Sequence, residues 1–307
     1  MKLASYVYNK ALTPGRIRRR GYSMFRNLLI KLFNDPPCAL PIHGHRLTFP
    51  LSHQLPTYLR YHLYYDKLPK RLSEFLHAKD GKLTCIDVGA NIGDTIAAFY
   101  KNDSDTFLAI EPNPNFFKYL VSNWDQNKNI TAVALICSSR NYTGAFDIQE
   151  KRGTASIHAV DKGTQLGTRT LDALVLEYPT FANCNMLKID TDGHDFEVLA
   201  GAEELLLCKK PFVLFECQPF GRNNYIEASM KNFGLLKHCG YNHALIYDHI
   251  GYLMGRVALS DESAIQNLLF YQLIGGCEYY DILVIQDDDF FSFYNAEKAF
   301  YLKTKPD

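Results

Sequence analysis

Polar side chains that can transfer protons are concentrated directly after an apolar stretch near the middle of the chain. The stretch runs from Asn185 to Ile189 and is followed by Asp190, Asp192, His194 and Asp195. Asp190 is the first candidate to take a proton from a bound hydroxyl or to orient it. Asp192 is the second, because repulsion between neighbouring carboxylates raises one pKa toward neutrality. His194 can be the base or a plain surface histidine. Since aspartates also cap helices, we expect at least one of them to be only a cap.

A further carboxylate, Glu216, ends the next apolar stretch, which runs from Phe212 to Phe215. Parallel strands bring their carboxyl ends to one edge of a sheet, so Glu216 is expected at the same rim as Asp190. Two carboxylates can hold a divalent metal, but no third and fourth ligands are visible. We therefore predict that Glu216 contacts a substrate hydroxyl, with a metal as the lesser alternative. The pair His43 and His45 also lacks further ligands, and a loop role is predicted for it.

A glycine turn after an apolar strand at Thr84 to Val88 is predicted to bind the cofactor. Gly89 can adopt backbone angles that a Cβ forbids, and Gly93 is expected to let a ligand approach the main chain. The dinucleotide fingerprint G-x-G-x-x-G is not met, because Asn91 and Asp94 occupy the second and third glycine positions. Asp94 also puts negative charge where a pyrophosphate would have to bind. A nicotinamide-dependent dehydrogenase is therefore disfavoured. S-adenosylmethionine, a cationic nucleoside without phosphate, fits better.

A second strand, from Phe107 to Ile110, ends at Glu111. Glu111 follows Gly89 at about the 20-residue spacing expected for an acid that holds ribose hydroxyls. The predicted cofactor site therefore comprises Asp87, Gly89, Asn91, Gly93, Asp94 and Glu111.

Three motifs resemble the FkbM-type methyltransferases, which use S-adenosylmethionine. They are IDVGANIGDT at 86–95, IEPNP at 110–114 and KIDTDGHDFEVLAGA at 188–202. The family's usual form has Glu at Asp192, an aromatic residue at His194 and Glu at Asp195. The resemblance implies an O-methyltransferase whose acceptor is a hydroxyl of a sugar in a polysaccharide or glycolipid. The alternative is a catalytically silent domain of this family that binds glycan or a protein partner.

Composition excludes some classes of protein. The 307 residues include 33 basic and 33 acidic ones, so no overall charge would attract nucleic acid. Eight cysteines without a C-x-x-C pair are typical of buried side chains in a reducing compartment. Neither a transmembrane run nor a signal-peptide pattern is visible, so a cytoplasmic location is predicted. The sequence does not predict an oligomeric state.

The elements that position these residues form an α/β pattern from residue 83 onward. We predict a Rossmann-like sheet with helices on both faces and a β-hairpin inserted at Tyr142–Gln149 and Ala155–Val160. The seven predicted strands are 84–88, 106–110, 130–136, 185–189, 212–215, 243–247 and 280–285. In the methyltransferase sheet that this order resembles, the last strand is antiparallel to its neighbours. Residues 83–307 would thus form the methyltransferase domain.

Residues 1–82 are predicted to be an accessory segment or lid beside the pocket. From Tyr22 to Phe33, apolar and basic residues alternate at helical spacing. A basic amphipathic helix of this kind can lie on an anionic membrane. We favour the alternative, a helix that packs on the main domain and exposes a basic face to solvent.

Overall fold

The fold is built around a sheet of eight strands, preceded by a helical segment and interrupted by a small second sheet. The computed structural model describes residues 1–13, 15–151, 153–219 and 224–306. The first segment contains α1 (Lys2–Ala11), α2 (Arg16–Leu32), β1 (Pro37–Ile42), β2 (His45–Pro50), α3 (Leu55–Tyr61) and α4 (Leu68–Asp80). The first half of the main sheet follows with β3 (Thr84–Val88), α5 (Asp94–Phe99), β4 (Thr106–Ile110), α6 (Pro114–Trp124) and β5 (Ile130–Val133).

The remaining elements form the insertion and the second half of the sheet. The insertion contains β6 (Ile136–Cys137), β7 (Tyr142–Lys151), β8 (Thr154–Ala159) and β9 (Thr164–Arg169). After it come α7 (Leu171–Glu177), a 3-10 turn (Pro179–Asn183), β10 (Met186–Ile189), α8 (Asp195–Ala200), α9 (Glu203–Lys209) and β11 (Phe212–Cys217). The chain ends with α10 (Tyr225–His238), β12 (His243–Asp248), β13 (Leu253–Ala258), α11 (Glu262–Leu273), β14 (Tyr280–Val284) and α12 (Asp287–Thr304).

The main sheet has the strand order β13-β12-β14-β11-β10-β3-β4-β5. The strands from β11 to β5 are parallel, and β14 is antiparallel to both of its neighbours, β11 and β12. The predicted Rossmann-like α/β class is therefore confirmed, including the reversed last strand. The predicted count of seven was wrong, because β13 pairs with β12 as an eighth strand at the edge. Its sequence, LMGRVA, is only half-buried, so the apolar alternation that predicts a strand is weak there.

Side chains from successive strand positions feed two apolar cores, one on each face of the sheet. Ile86 and Leu108 belong to the core covered by α7 to α11. Cys85 and Phe107 belong to the other core, with side chains from α4, α5, α6 and α12. Residues before the sheet, such as Tyr8, enter this second core as well. The amino-terminal segment is thus packed on the sheet.

The predicted hairpin exists, but it is part of a larger unit. β7 and β8 pair antiparallel, with Gln149 opposite Ser156. With β9 and β6 they form a separate four-stranded sheet in the order β6-β9-β7-β8. The predicted strand 130–136 is consequently divided between the two sheets. Arg152 lies outside the described residues.

Two further observations concern the cysteines and the helices. All eight cysteines are described, none is in a disulfide, and every one except Cys208 is buried. Within the described ranges, no helix has both the length and the apolar character needed to cross a bilayer.

Candidate active site

The glycine turn after β3 is shaped by contacts with two neighbouring elements. Gly89 has φ +80°, and a Cβ there would lie 1.7 Å from the Asp190 carbonyl oxygen, so only glycine fits. Gly93 has φ +81°, and its carbonyl accepts a 3.0 Å hydrogen bond from Trp124 Nε1. A Cβ at Gly93 would meet that indole at 2.3 Å. In this structure Gly93 is therefore required by the packing of Trp124, whereas Gly89 lets β3 and the loop after β10 approach each other.

Glu111 lies at the carboxyl end of β4 and is almost completely buried. Its Oε2 accepts a 2.8 Å hydrogen bond from the Asn91 backbone N–H, and its Oε1 accepts one of 2.8 Å from Asn113 N–H. Burial raises the pKa of Glu111 to about 7, although these two bonds oppose the shift. Since each carboxylate oxygen has two lone pairs, both can still accept a ligand hydroxyl.

A cleft, here called the first cavity, opens over the turn and encloses about 770 Å³ including space open to solvent. Gly89, Asn91 and Asp94 from the turn line it together with Glu111. Its other walls include His53, Tyr58, Phe116, Thr154, Ala155 and Ile157. The predicted cofactor residues Gly89, Asn91, Asp94 and Glu111 are thus brought together in one concave site.

The inserted sheet closes one side of the first cavity. Asn91 Nδ2 donates a 2.7 Å hydrogen bond to the Gly153 carbonyl, and Ala155 N–H donates one of 3.1 Å to Asp192 Oδ2. The sequence predicted the hairpin but not this position. The glycine between two alternating segments marks a tip, but no local pattern shows what the tip covers.

A second cavity, which encloses about 690 Å³ including space open to solvent, adjoins the first. Glu216 lines it, along with residues that the sequence did not single out: Tyr64, Tyr65, Asp66, Tyr247, Tyr279 and Asp281. Antiparallel pairing of β11 with β14 places Glu216 directly opposite Asp281. Asp66 is held by His43, whose Nε2 lies 2.6 Å from Asp66 Oδ2, which gives the turn between β1 and β2 a contact at the site.

The two cavities share the side chains of Leu55, Tyr65, Asp94, Thr95, Lys188 and Asp190. Lys188 lies in β10, and its side chain is buried. Its Nζ is 3.1 Å from Asp190 Oδ2 and 3.3 Å from Asp87 Oδ1. Burial alone would lower the pKa of Lys188, but Asp190 and Asp87 raise it well above its usual value. The lysine is therefore a permanent cation at the boundary between the cavities. The sequence signal for it was a lysine inside an otherwise apolar strand.

Asp87 was predicted to bind the cofactor, but it lies beneath the turn inside β3. It is fully buried, and among the described residues no group donates a hydrogen bond to its Oδ2. Burial raises its pKa, and Lys188 opposes that shift. Asp87 is not among the described side chains that line either cavity, so the structure gives it contact with Lys188 and none with the cavity.

The acidic block after β10 is divided among different environments. Asp190 has 41% of its side chain accessible. Asp192, with φ +51°, lines the first cavity, and burial followed by repulsion from Asp190 raises its pKa to about 7. Burial and Asp190 also raise the pKa of Glu216 well above its usual value. After burial, repulsion from Asp190 is thus the main cause of the raised pKa values of Asp192 and Glu216.

Asp195 and His194 have other contacts. Asp195 is buried at the start of α8, where it accepts a 2.8 Å bond from Thr191 Oγ1 and a 3.3 Å bond from Glu216 N–H. It ties the loop after β10 to β11. His194 Nε2 lies 3.2 Å from Ser138 Oγ, and the imidazole does not line either cavity among the described residues. The structure therefore brings Asp190, Asp192 and Glu216 to the cavities but not His194.

A metal site is not evident in this arrangement. Within residues 1–13, 15–151, 153–219 and 224–306, no group of three or more His, Cys, Asp or Glu side chains is placed to hold a metal ion. Glu216 lines the second cavity, and its contact with a substrate hydroxyl stays a prediction.

Replacing Lys188 by Met should destabilise the folded protein by about 3–5 kcal/mol, because Asp87 would remain buried without its partner. The free energy of unfolding, measured by urea denaturation at neutral pH, checks this value. The double variant Asp87→Asn with Lys188→Met is the control and should recover part of the loss. A single variant as stable as the parent protein would show that the pair has no structural role.

The family model described as "Methyltransferase FkbM domain" matches residues 87–242, which is half of the chain. The chain belongs to the FkbM methyltransferase family. The resemblance predicted from the three motifs is therefore confirmed. The FkbM region contains all the predicted site residues, whereas Tyr65, Asp66 and Asp281 of the second cavity lie outside it.

One curated relative and two solved structures illustrate what this FkbM-family chain is similar to. The hexuronic acid methyltransferase AglP of Haloferax volcanii is 30% identical over 124 residues, which cover 39% of this chain and 50% of AglP. The chain thus matches about half the length of that relative. The methyltransferase FkbM structure from Methylobacillus flagellatus is 15% identical, with a TM-score of 0.33 over 47% of this chain and 37% of the other. Aeropyrum pernix fibrillarin, solved with natively bound S-adenosyl-L-methionine, is 10% identical, with a TM-score of 0.39 over 83% and 84%.

Proposed function

We propose that this chain is an S-adenosylmethionine-dependent O-methyltransferase that acts on a hydroxyl of a sugar, in a glycolipid or polysaccharide. Membership of the FkbM family supports the methyltransferase class. Transfer from S-adenosylmethionine to a sugar hydroxyl is supported by the two cavities, which meet at Lys188 and Asp190. A methyl donor in one cavity and an acceptor in the other would then face each other across these side chains.

The residues of the first cavity fit a sulfonium nucleoside. Glu111 offers free lone pairs to ribose hydroxyls, while Asp94 and Asp192 supply negative charge for a cationic ligand. Lys188, the basic side chain among the described lining residues, is already held by two carboxylates. Burial lowers the pKa of His53 to about 4, so this lining histidine is neutral. A pyrophosphate would find no available cation on these residues.

The chemistry needs an acceptor oxygen that is positioned and relieved of its proton. The bound cofactor would supply an electrophilic methyl group. Asp190, accessible to both cavities, would accept the hydroxyl proton or orient the hydroxyl, and Lys188 would hold the Asp190 carboxylate in place. Glu216 would contact another hydroxyl of the acceptor.

The second cavity favours a neutral or amino-bearing sugar over an acidic one. Its described lining residues include the carboxyl groups of Asp66, Asp94, Asp190, Glu216 and Asp281 and one basic side chain, that of Lys188. Carboxyl and tyrosine hydroxyl groups suit the many hydroxyls of a sugar. Burial and repulsion from Asp190 already raise the pKa values of Glu216 and Asp281, and an acceptor carboxylate would meet the same burial and repulsion. The similarity to a hexuronic acid methyltransferase therefore supports a carbohydrate acceptor. The carboxyl groups of this cavity favour a neutral or amino sugar over a hexuronic acid as that acceptor.

The test is S-adenosylhomocysteine production with matched methyl glycosides of a neutral hexose, an amino hexose and a hexuronic acid. We expect kcat/KM for the neutral or amino sugar to exceed that for the uronic acid by about tenfold or more, since close like charges oppose binding. Faster turnover of the uronic acid would contradict the charge argument. Cofactor binding by calorimetry without product from any glycoside would indicate the catalytically silent alternative. Absence of cofactor binding would remove the proposed function altogether.

A further inference from the structure

Helix α2 exposes an apolar stripe that the protein itself does not cover. Its members are Ile17, Met24, Phe25, Leu28 and Leu32, with 88%, 73%, 40%, 48% and 66% of their surface accessible. At 3.6 residues per turn these positions fall within an arc of roughly 100°, the width of a complete amphipathic face. Isolated apolar residues on a surface need no explanation, but a continuous helical face of them does.

The opposite face of α2 fixes the helix to the rest of the protein. Leu29 is buried in the apolar core. Arg26 is buried too; its Nε donates a 2.7 Å bond to the Leu51 carbonyl, and its guanidinium lies 4.0 Å from the centre of the Tyr8 ring. The helix therefore packs on the protein through Leu29 and Arg26, and the exposed stripe is a second, separate apolar face.

Charge is distributed unevenly along the chain around this stripe. Residues 1–34 contain eight Lys or Arg and no Asp or Glu, although the whole chain has 33 of each kind. Arg18 lies on one side of the stripe, and Arg20 and Lys31 lie on the other; all three are exposed. In α1, Leu3 and Tyr6 are exposed as well. A surface that is apolar in the middle and whose charged edge residues are all basic complements the boundary between anionic headgroups and acyl chains.

We propose that α1 and α2 dock this chain onto an anionic membrane surface. The stripe of α2 enters the interface parallel to the bilayer plane, and Arg18, Arg20 and Lys31 contact lipid phosphates. This membrane association does not depend on the proposed methyl transfer. It does place the first cavity near the bilayer, because Arg26 Nη2 donates a 3.1 Å bond to the carbonyl of His53, a residue that lines this cavity. If the proposed function also holds, the acceptor is a sugar carried by a membrane lipid.

The test is flotation of the full chain with vesicles made of equal parts of phosphatidylglycerol and phosphatidylcholine, compared with vesicles of phosphatidylcholine alone. We expect binding to the anionic vesicles, and about tenfold or greater loss with the variant Met24→Ser/Leu28→Ser, since interfacial affinity scales with buried apolar area. The variant Arg18→Gln/Arg20→Gln should bind less, and its binding should depend less steeply on salt because fewer charged contacts remain.

Matched controls change similar side chains elsewhere. Leu176→Ser/Ile274→Ser removes two exposed apolar residues from other surfaces, and Lys82→Gln/Lys128→Gln removes two exposed charges. Both should bind vesicles like the parent protein. Circular dichroism of every variant distinguishes lost docking from lost folding. No binding by the folded parent protein, or equal losses in controls and stripe variants, would overturn the proposal. So would a stripe-dependent oligomer, measured by sedimentation, in a protein that ignores vesicles, because a second copy would then cover the stripe.

Discussion

Replacing Glu111 by Gln is expected to weaken S-adenosylmethionine binding by about 100-fold or more. A hydrogen bond to a charged group contributes roughly 1.5–3 kcal/mol, and this buried carboxylate can accept one from each ribose hydroxyl. The variant would also turn an amide N–H₂ toward the backbone donors of Asn91 or Asn113, which now bind the two carboxylate oxygens. Isothermal titration calorimetry of the purified variant measures the change.

The same group predicts how cofactor binding depends on pH. Because burial raises the pKa of Glu111 to about 7, the carboxylate form that accepts hydroxyls increases as the pH rises through neutrality. Cofactor affinity of the parent protein should therefore rise across that range, and the rise should be smaller in Glu111→Gln. Glu150→Gln is the control, since Glu150 bonds the side chains of Asn113 and Asn115 nearby without lining the first cavity. Affinity within threefold of the parent in Glu111→Gln would mean that the cofactor binds elsewhere.

Replacing Asp190 by Asn is expected to reduce turnover by about 100-fold to 10,000-fold, the usual contribution of a positioned general base. Cofactor affinity should change much less, because Glu111 and the glycine turn are intact. The measurement is S-adenosylhomocysteine formation at saturating cofactor, with the sugar that the acceptor panel identifies. Lys188 would keep Asp87 as its partner, so the variant is expected to fold.

The pH profile separates a base from a merely structural carboxylate. Repulsion from Asp190 contributes to the raised pKa values of Asp192, Glu216 and Asp281, after the larger effect of burial. Removing that charge should lower all three, so any residual activity should have its acidic limb at lower pH. Asp192→Asn is the comparison for the second candidate base. A large loss in Asp192→Asn with little change in Asp190→Asn would reverse the assignment of their roles.

The parts of this site that sequence predicts are those set by local chain chemistry. The turn at Gly89 and the acid at Glu111 each follow a short buried strand, and strand direction then places both at one edge of the sheet. Asp190 and Glu216 also lie at that edge, because β10 and β11 run parallel to β3. For Gly93 the sequence suggested close approach of a ligand, whereas in the structure the contact that excludes a side chain comes from Trp124.

The second cavity could not be predicted in this way. Tyr65 and Asp281 are separated by most of the chain, and no pattern in either segment indicates the other. Asp281 reaches the cavity because β14 inserts between β11 and β12 in a register that puts Asp281 opposite Glu216. Tyr65, which lies between α3 and α4, lines the same cavity. Pairing of distant strands depends on tertiary packing, which a local motif does not specify. The second cavity therefore combines residues of the FkbM region, such as Asp190 and Glu216, with residues from outside it.

The hydrogen bonds from the inserted sheet impose a condition on ligand exchange. Asn91 to Gly153 and Ala155 to Asp192 join the tip of the hairpin to the two loops on which a nucleoside would rest. Passage of a ligand through that side would require these two hydrogen bonds to break. If the proposed methyl transfer holds, release of S-adenosylhomocysteine through that side would depend on movement of the hairpin. The turnover rate would then reflect this movement as well as the chemical step at the carboxylates.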